Sequence, residues 1–199
     1  MVRLCLLAVL IALPWTSTST AGEAKPQYLI GQLLVAAPSM PDGRFAGTVI
    51  YMCEHSADGA LGLVINRSLA KMPAEMIAEN FGLDAGAAEG AVNVVWGGPV
   101  EFGRGFVLHS TDHMGAGSLR TGEGLAYSSN PQMLIDVLEG HGPSKALLAL
   151  GYAGWGAGQL ESEIARDDWL TVPADAAFVF DSVPDEMWRA AMDQYSIEL

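Results

Sequence analysis

The 199 residues predict an α+β fold, a single domain built on a largely antiparallel sheet with a few flanking helices. Three observations carry that prediction. Half of the residues are hydrophobic and 17% are charged, enough apolar surface for one real core and too much for a disordered chain. Strand-like segments outnumber helical ones. There is also no regular strand–helix–strand alternation and no internal repeat, which sets aside a parallel doubly wound sheet and a solenoid.

Taken in order, the chain opens on "MVRLCLLAVLIALPW", one Arg followed by an apolar run from Leu4 to Leu13, and continues into "TSTSTAGEA". This is the charged, apolar and small-residue sequence of a secretory signal, and residues 1–21 are expected to be removed. The apolar run is shorter than the ~20 residues a bilayer-spanning helix needs, so no membrane span is expected in the mature chain. A periplasmic or secreted location follows if the leader is real. The alternative is a start codon placed too early, with the protein beginning near Gln27.

The body begins with "YLIGQLLVAA", 28–37, an apolar strand, and "PSMPDGRF", a loop set by two prolines and an Asp-Gly. "GTVIYMCEH", 47–55, and "ALGLVINR", 60–67, flank the turn "SADG" and make a hairpin. Strict alternation along the first of these strands places Cys53 and His55 on one face, with Met52, Glu54 and Ser56 on the other. A helix is expected from Pro73 to Phe81, stopped by Gly82. "VNVVWGGPV" and "GFVLHS" read as strands, and 110–124, Gly-rich and polar, as a mobile surface loop. In "NPQMLIDVLEGHGP" Asn130 caps a helix, Pro131 takes its first position and Gly140 stops it. "KALLALGY" is a buried central strand. "GWGAGQLESEIARDD" enters a helix through glycines, and a last helix runs from about Pro184 to Tyr195 with Ser182 and Asp185 at capping-box spacing.

Charge narrows the function. The chain carries 10 Lys and Arg against 23 Asp and Glu, a net charge of −13, with no basic run. Loss of residues 1–21 removes Arg3 and no acid, so the charge becomes −14. Affinity for nucleic acid comes mainly from Lys and Arg at phosphates, so direct nucleic-acid binding is not expected.

Three groups of residues are candidates for chemistry. Gly154, Gly156 and Gly158 lie between a buried strand and a helix, where backbone N–H groups can approach an anion, and they are the candidate ligand-binding positions. Their spacing matches neither the dinucleotide fingerprint nor a P-loop, and a sharp turn packing Trp155 explains them equally. His109 and His113 have metal-ligand spacing but no obvious third ligand, and no metal or other cofactor is expected. Glu161 and Glu163 point to different helix faces and do not form an acid–base pair.

Cys53 and His55 are the candidate catalytic residues. Cys5 lies in the leader, so the mature chain keeps one cysteine and forms no internal disulfide. A thiol is reactive when a cation or helix N-terminus lowers its pKa. His55, Arg44 or Arg67 would have to supply that cation, and against this stands the ordinary role of cysteine as a small buried hydrophobe. With Val49 and Tyr51 beside it, the thiol is expected to point inward and react poorly, while His55 reaches water at the strand end.

Several stretches together resemble the YqgE/AlgH family of bacterial proteins over about residues 28–195: "GQLLVAAPSMPDGRFAGTVIYMCEHSADGALGLVINRSL", "VWGGPV", "RGFVLHS" and "ALLALGYAGWGAGQLESEIARDDWLTVPAD". The resemblance implies an α+β fold whose sheet is strongly curved and barrel-like. It implies a cytoplasmic location, from which this leader departs. One branch of the family is labelled a transcriptional regulator linked to alginate production, and the resemblance supplies no catalytic residue to carry over. Two functions therefore stand: a non-enzymatic regulatory or binding protein acting on a partner protein or small anionic ligand, and a thiol-dependent redox sensor or enzyme centred on Cys53.

Overall fold

The computed structural model describes residues 28–84, 86 and 88–197; the leader at 1–21 lies outside them. The elements are β1 (Gln32–Ala36), β2 (Val49–Ser56), β3 (Gly59–Val64), β4 (Ser68–Pro73), α1 (Ala74–Phe81), β5 (Ala91–Trp96), β6 (Val100–Ser110), β7 (Leu119–Gly122), β8 (Leu125–Ser128), α2 (Pro131–Leu138), β9 (Ala146–Gly156), α3 (Gln159–Ile164), β10 (Trp169–Pro173), α4 (Ala176–Asp181) and α5 (Pro184–Ile197).

All ten strands belong to one sheet. Its path runs β10-β1-β2-β3-β9-β6-β8-β7, with β5 joining β9 and carrying β4 on its far side. Every pairing is antiparallel except β5 with β9. The sheet curls into a half-barrel until β7 meets β2, where the Tyr51 hydroxyl and Thr121 Oγ1 lie 2.7 Å apart. The α+β class and the curved, largely antiparallel sheet agree with the expectation.

β1 and the first half of β2 are continuously apolar because both their faces are covered. In β2, Val49 and Tyr51 join the core inside the curl with Leu33, Phe106 and Leu108, which α4 and α5 close with Val179, Met187 and Ala191. Ile50 and Met52 join a second core on the opposite face, with Val64, Trp155, Leu160 and Trp169. A third packs α1 and α2 on the sheet through Ile77, Met133, Val107 and Leu148. Asn130 caps α2 by accepting from the Gln132 amide at 2.9 Å, as its sequence predicts.

Three expectations are corrected. Residues 110–124 are not one mobile loop: they contain β7, and the intervening turn is tied down by Ser128 Oγ donating to the Ala116 carbonyl and Ser118 Oγ donating to His109. The buried strand starting at Ala146 does not end at Tyr152; β9 carries Gly151, Gly154 and Gly156 as strand residues. Ser182 closes α4 instead of capping α5, whose first amides, of Glu186 and Met187, are taken by the Val183 carbonyl. Among the described residues no helix is long and apolar enough to cross a membrane.

Candidate functional site

Strict alternation fails in β2 at Cys53. The β2–β3 register pairs Tyr51 with Leu63 and Met52 with Gly62, then jumps to pair Glu54 with Leu61 and His55 with Ala60. Cys53 is the extra residue of a β-bulge, and one extra residue reverses the faces of everything after it. Cys53 and Glu54 both end up on the inner face, and His55 on the outer face with Met52. The expected shared face of Cys53 and His55 is therefore corrected. So is the grouping of Glu54 with Met52.

His55 does not end in water either. It is 6% exposed, its Nδ1 accepts from the Leu29 amide at 3.0 Å, and the Tyr28 ring packs edge-on against it. With Nδ1 accepting, the proton sits on Nε2 and is donated to Glu161 Oε1 at 2.9 Å. The Glu161 carboxyl is held below its ordinary pKa, by its own backbone amide first and by His55 second. Both ring nitrogens are spent on positioning, one on the entry to β1 and the other on α3.

Cys53 is 2% exposed and lies among the inner-face side chains, its Sγ 3.9 Å from the Tyr51 carbonyl. Burial pushes its thiol well above the ordinary cysteine pKa, and the Glu54 carboxylate adds to the shift. Neither proposed cation is aimed at it. Arg44 pairs with Asp42 and Arg67 donates to the Ala46 carbonyl.

A large cavity opens beside this bulge. It is a groove of about 770 Å³ between the β2–β3 hairpin and β7. Glu54, Asp58 and Leu61 line it from the hairpin, Arg120 from β7, Tyr127 from β8 and Tyr152 from β9. The Tyr127 hydroxyl donates to Glu54 Oε1, across the curl of the sheet. Burial and then the Glu54 carboxylate raise the tyrosine pKa, so the phenol keeps its proton. The bulge creates this pair: without the extra residue Glu54 would face the other way. Sequence reasoning missed Tyr127, Arg120 and Tyr152, and named Glu54 only as a residue of the face opposite Cys53.

The glycine segment divides between a strand and a turn. Gly154 lies within β9 on the groove wall, the Gly156 amide donates to Gln159 Oε1 at 3.1 Å, and Gly158 makes the left-handed turn that opens α3. Glu161 and Glu163 do point to different faces of α3: Glu163 Oε2 accepts both indole N–H groups, of Trp155 and Trp169, each at 2.8 Å. His109 is fully buried with Nδ1 donating to the Ser110 carbonyl, while His113 faces Asp136. Among the described residues no three His, Cys, Asp or Glu side chains form a metal-holding group.

Comparison with known proteins gives the chain its family. The AlgH-like family model matches residues 33–199. A UPF0301 protein of Rhodospirillum rubrum is 44% identical over 171 residues, covering 86% of this chain and 89% of its own length. One of Methylococcus capsulatus is 44% identical over 169 residues, covering 85% and 92%. The solution structure of the AlgH protein of Pseudomonas aeruginosa superposes with a TM-score of 0.71 at 42% identity, over 86% of this chain and 91% of that one. A crystal structure of a Corynebacterium diphtheriae protein shares the fold, with a TM-score of 0.66 at 23% identity over 85% and 88% of the two chains. The half-barrel is thus the fold of known relatives, and the chain belongs to the AlgH-like (UPF0301) family.

Proposed function

We propose that this chain is a non-enzymatic binding protein with a regulatory role, and that it takes a small ligand or a partner's side chains in the groove beside β2. One observation carries the reading. The groove offers a large, partly apolar wall and a fixed Tyr127–Glu54 pair whose phenol keeps its proton. The thiol is buried and its pKa raised, and both nitrogens of His55 are engaged. Any effect on transcription is indirect, because a chain of net charge −13 gives DNA phosphates little to bind.

Mass spectrometry of the native protein from its host tests this. A bound small molecule is expected, and filling the groove with Leu61→Trp should release it. Retention of the same molecule by Leu61→Trp would place binding elsewhere. The thiol-sensor alternative rests on one fact, that Cys53 lines the groove, and it takes over if the thiol proves fast-reacting. The same spectra read the leader: a mature chain lacking residues 1–21 supports export to the periplasm or beyond, and a chain that keeps Met1 or Val2 rejects it.

A further inference from the structure

The charges in the groove are unequal. Glu54 and Asp58 line it, both exposed, while Arg120 is the single Lys or Arg among its lining residues. Glu54 is held in place: its Oε1 accepts a hydrogen bond from the Tyr127 hydroxyl, and among the described residues its Oε2 makes no hydrogen bond. Besides this carboxylate the lining includes aromatic and aliphatic side chains, Tyr127, Tyr152, Leu61 and Val100 among them. Two exposed large apolar side chains, Ile30 and Leu119, line the groove's mouth, and a third, Tyr28, packs on the lining residue His55.

Resting on the reading of the chain as a binding protein, we propose that this groove takes an organic cation: a primary amine or guanidinium carried on an apolar body. An anchored carboxylate oxygen beside aromatic rings is the chemistry that recognises an ammonium group, by a charge-assisted hydrogen bond and by the negative ring face. The aliphatic mouth accounts for the apolar body, and the volume lies in the range that holds small ligands. A carboxylate ligand would find Arg120 but would sit beside Glu54 and Asp58, and a chain of net charge −13 repels it on approach. This proposal replaces the small anionic ligand with a cationic one, and in the glycine segment the Gly156 amide is already taken by Gln159.

Three probes with one body and different heads decide the matter: phenethylammonium, 2-phenylethanol and 3-phenylpropionate. Each is titrated at low salt into the isotope-labelled full chain while the amide resonances of Glu54, Leu61, Arg120 and Tyr152 are followed. Phenethylammonium should shift these amides, and phenylpropionate should bind roughly tenfold more weakly or less. Glu54→Gln, an exposed and nearly isosteric change, should weaken the cation by roughly tenfold. Arg120→Gln should not weaken it. Tighter binding of phenylpropionate, or a cation affinity untouched by Glu54→Gln, would overturn the cation proposal and leave the groove a binding site of another class. If none of the three probes moves these amides at millimolar concentration, the cation proposal and the groove reading both fail.

Discussion

Cys53 and Glu54 are neighbours in sequence that share one face because of the bulge, and the same device separates the thiol from His55. The buried thiol is expected to alkylate slowly in the native state, with a rate that rises only above the free-cysteine value of about 8.5. A midpoint well below that value would reject the structural role. Cys53→Ala should lower stability by about 1 kcal/mol, the loss of a small, fully enclosed side chain. The pH dependence has a definite sign. The folded chain keeps a proton on Cys53 that the unfolded chain releases, so stability is complete below about pH 8.5 and falls as pH rises, by at most ~1.4 kcal/mol per pH unit for this one group. The deficit of Cys53→Ala relative to the parent should therefore shrink in alkaline solution, as denaturant unfolding at several pH values would show. Tyr51 and Tyr127, also shifted upward by burial, add to the alkaline loss in both proteins.

Element by element, what can be read from sequence is what local signals decide. The β2–β3 hairpin has its turn residues, α2 has its Asn130 cap and α1 has its Gly82 stop, and all three stand where those residues put them. The bulge has no such signal, since it depends on which β3 residue each β2 residue meets. β10 is a strand because β1 pairs with it, from Gln32 opposite Pro173 to Ala36 opposite Trp169, and β7 is concealed among glycines. The candidate site suffers most from this. Cys53 and His55 could be picked out as residues, but the groove walls come from β7, β8 and β9, which only the curl of the sheet brings to the hairpin. The glycines of β9 make the point quantitatively. Gly151 has φ +72, and an added Cβ would lie 2.6 Å from the Gly98 carbonyl oxygen, whereas Gly158 has φ +71 with open space around it. Gly158→Ala should cost about 1–2 kcal/mol for the left-handed backbone alone, and Gly151→Ala clearly more. Gly156→Ala, with no positive φ and only the end of Gln159 nearby, should be the mildest of the three. Equal midpoints for the three variants in thermal unfolding would reject this ordering.

At the scale of the whole molecule, charge and topology set the behaviour. With net charge −13 and no basic run in its sequence, the purified protein should show no salt-sensitive, sequence-selective binding to promoter DNA in a fluorescence-anisotropy titration. Tight binding that weakens steeply with salt would show that a local surface outweighs the total charge.

The place of β9 in the sheet sets the order in which the protein can be built. On one edge β9 is flanked by β5 and then β3, on the other by β6, and β1 waits for β10. A ribosome has therefore released most of the domain before any part of the sheet can close, a delay on the order of ten seconds from β1 to β10 at ordinary synthesis rates. Fragments ending before Ala146 should be protease-sensitive and lack a cooperative transition, because they hold three groups of strands, β1-β2-β3, β4-β5 and β6-β8-β7, which β9 alone pairs into one sheet. Folding should be governed by the arrival of one late strand, which makes the nascent chain a long-lived client for chaperones and keeps it threadable until synthesis is nearly complete.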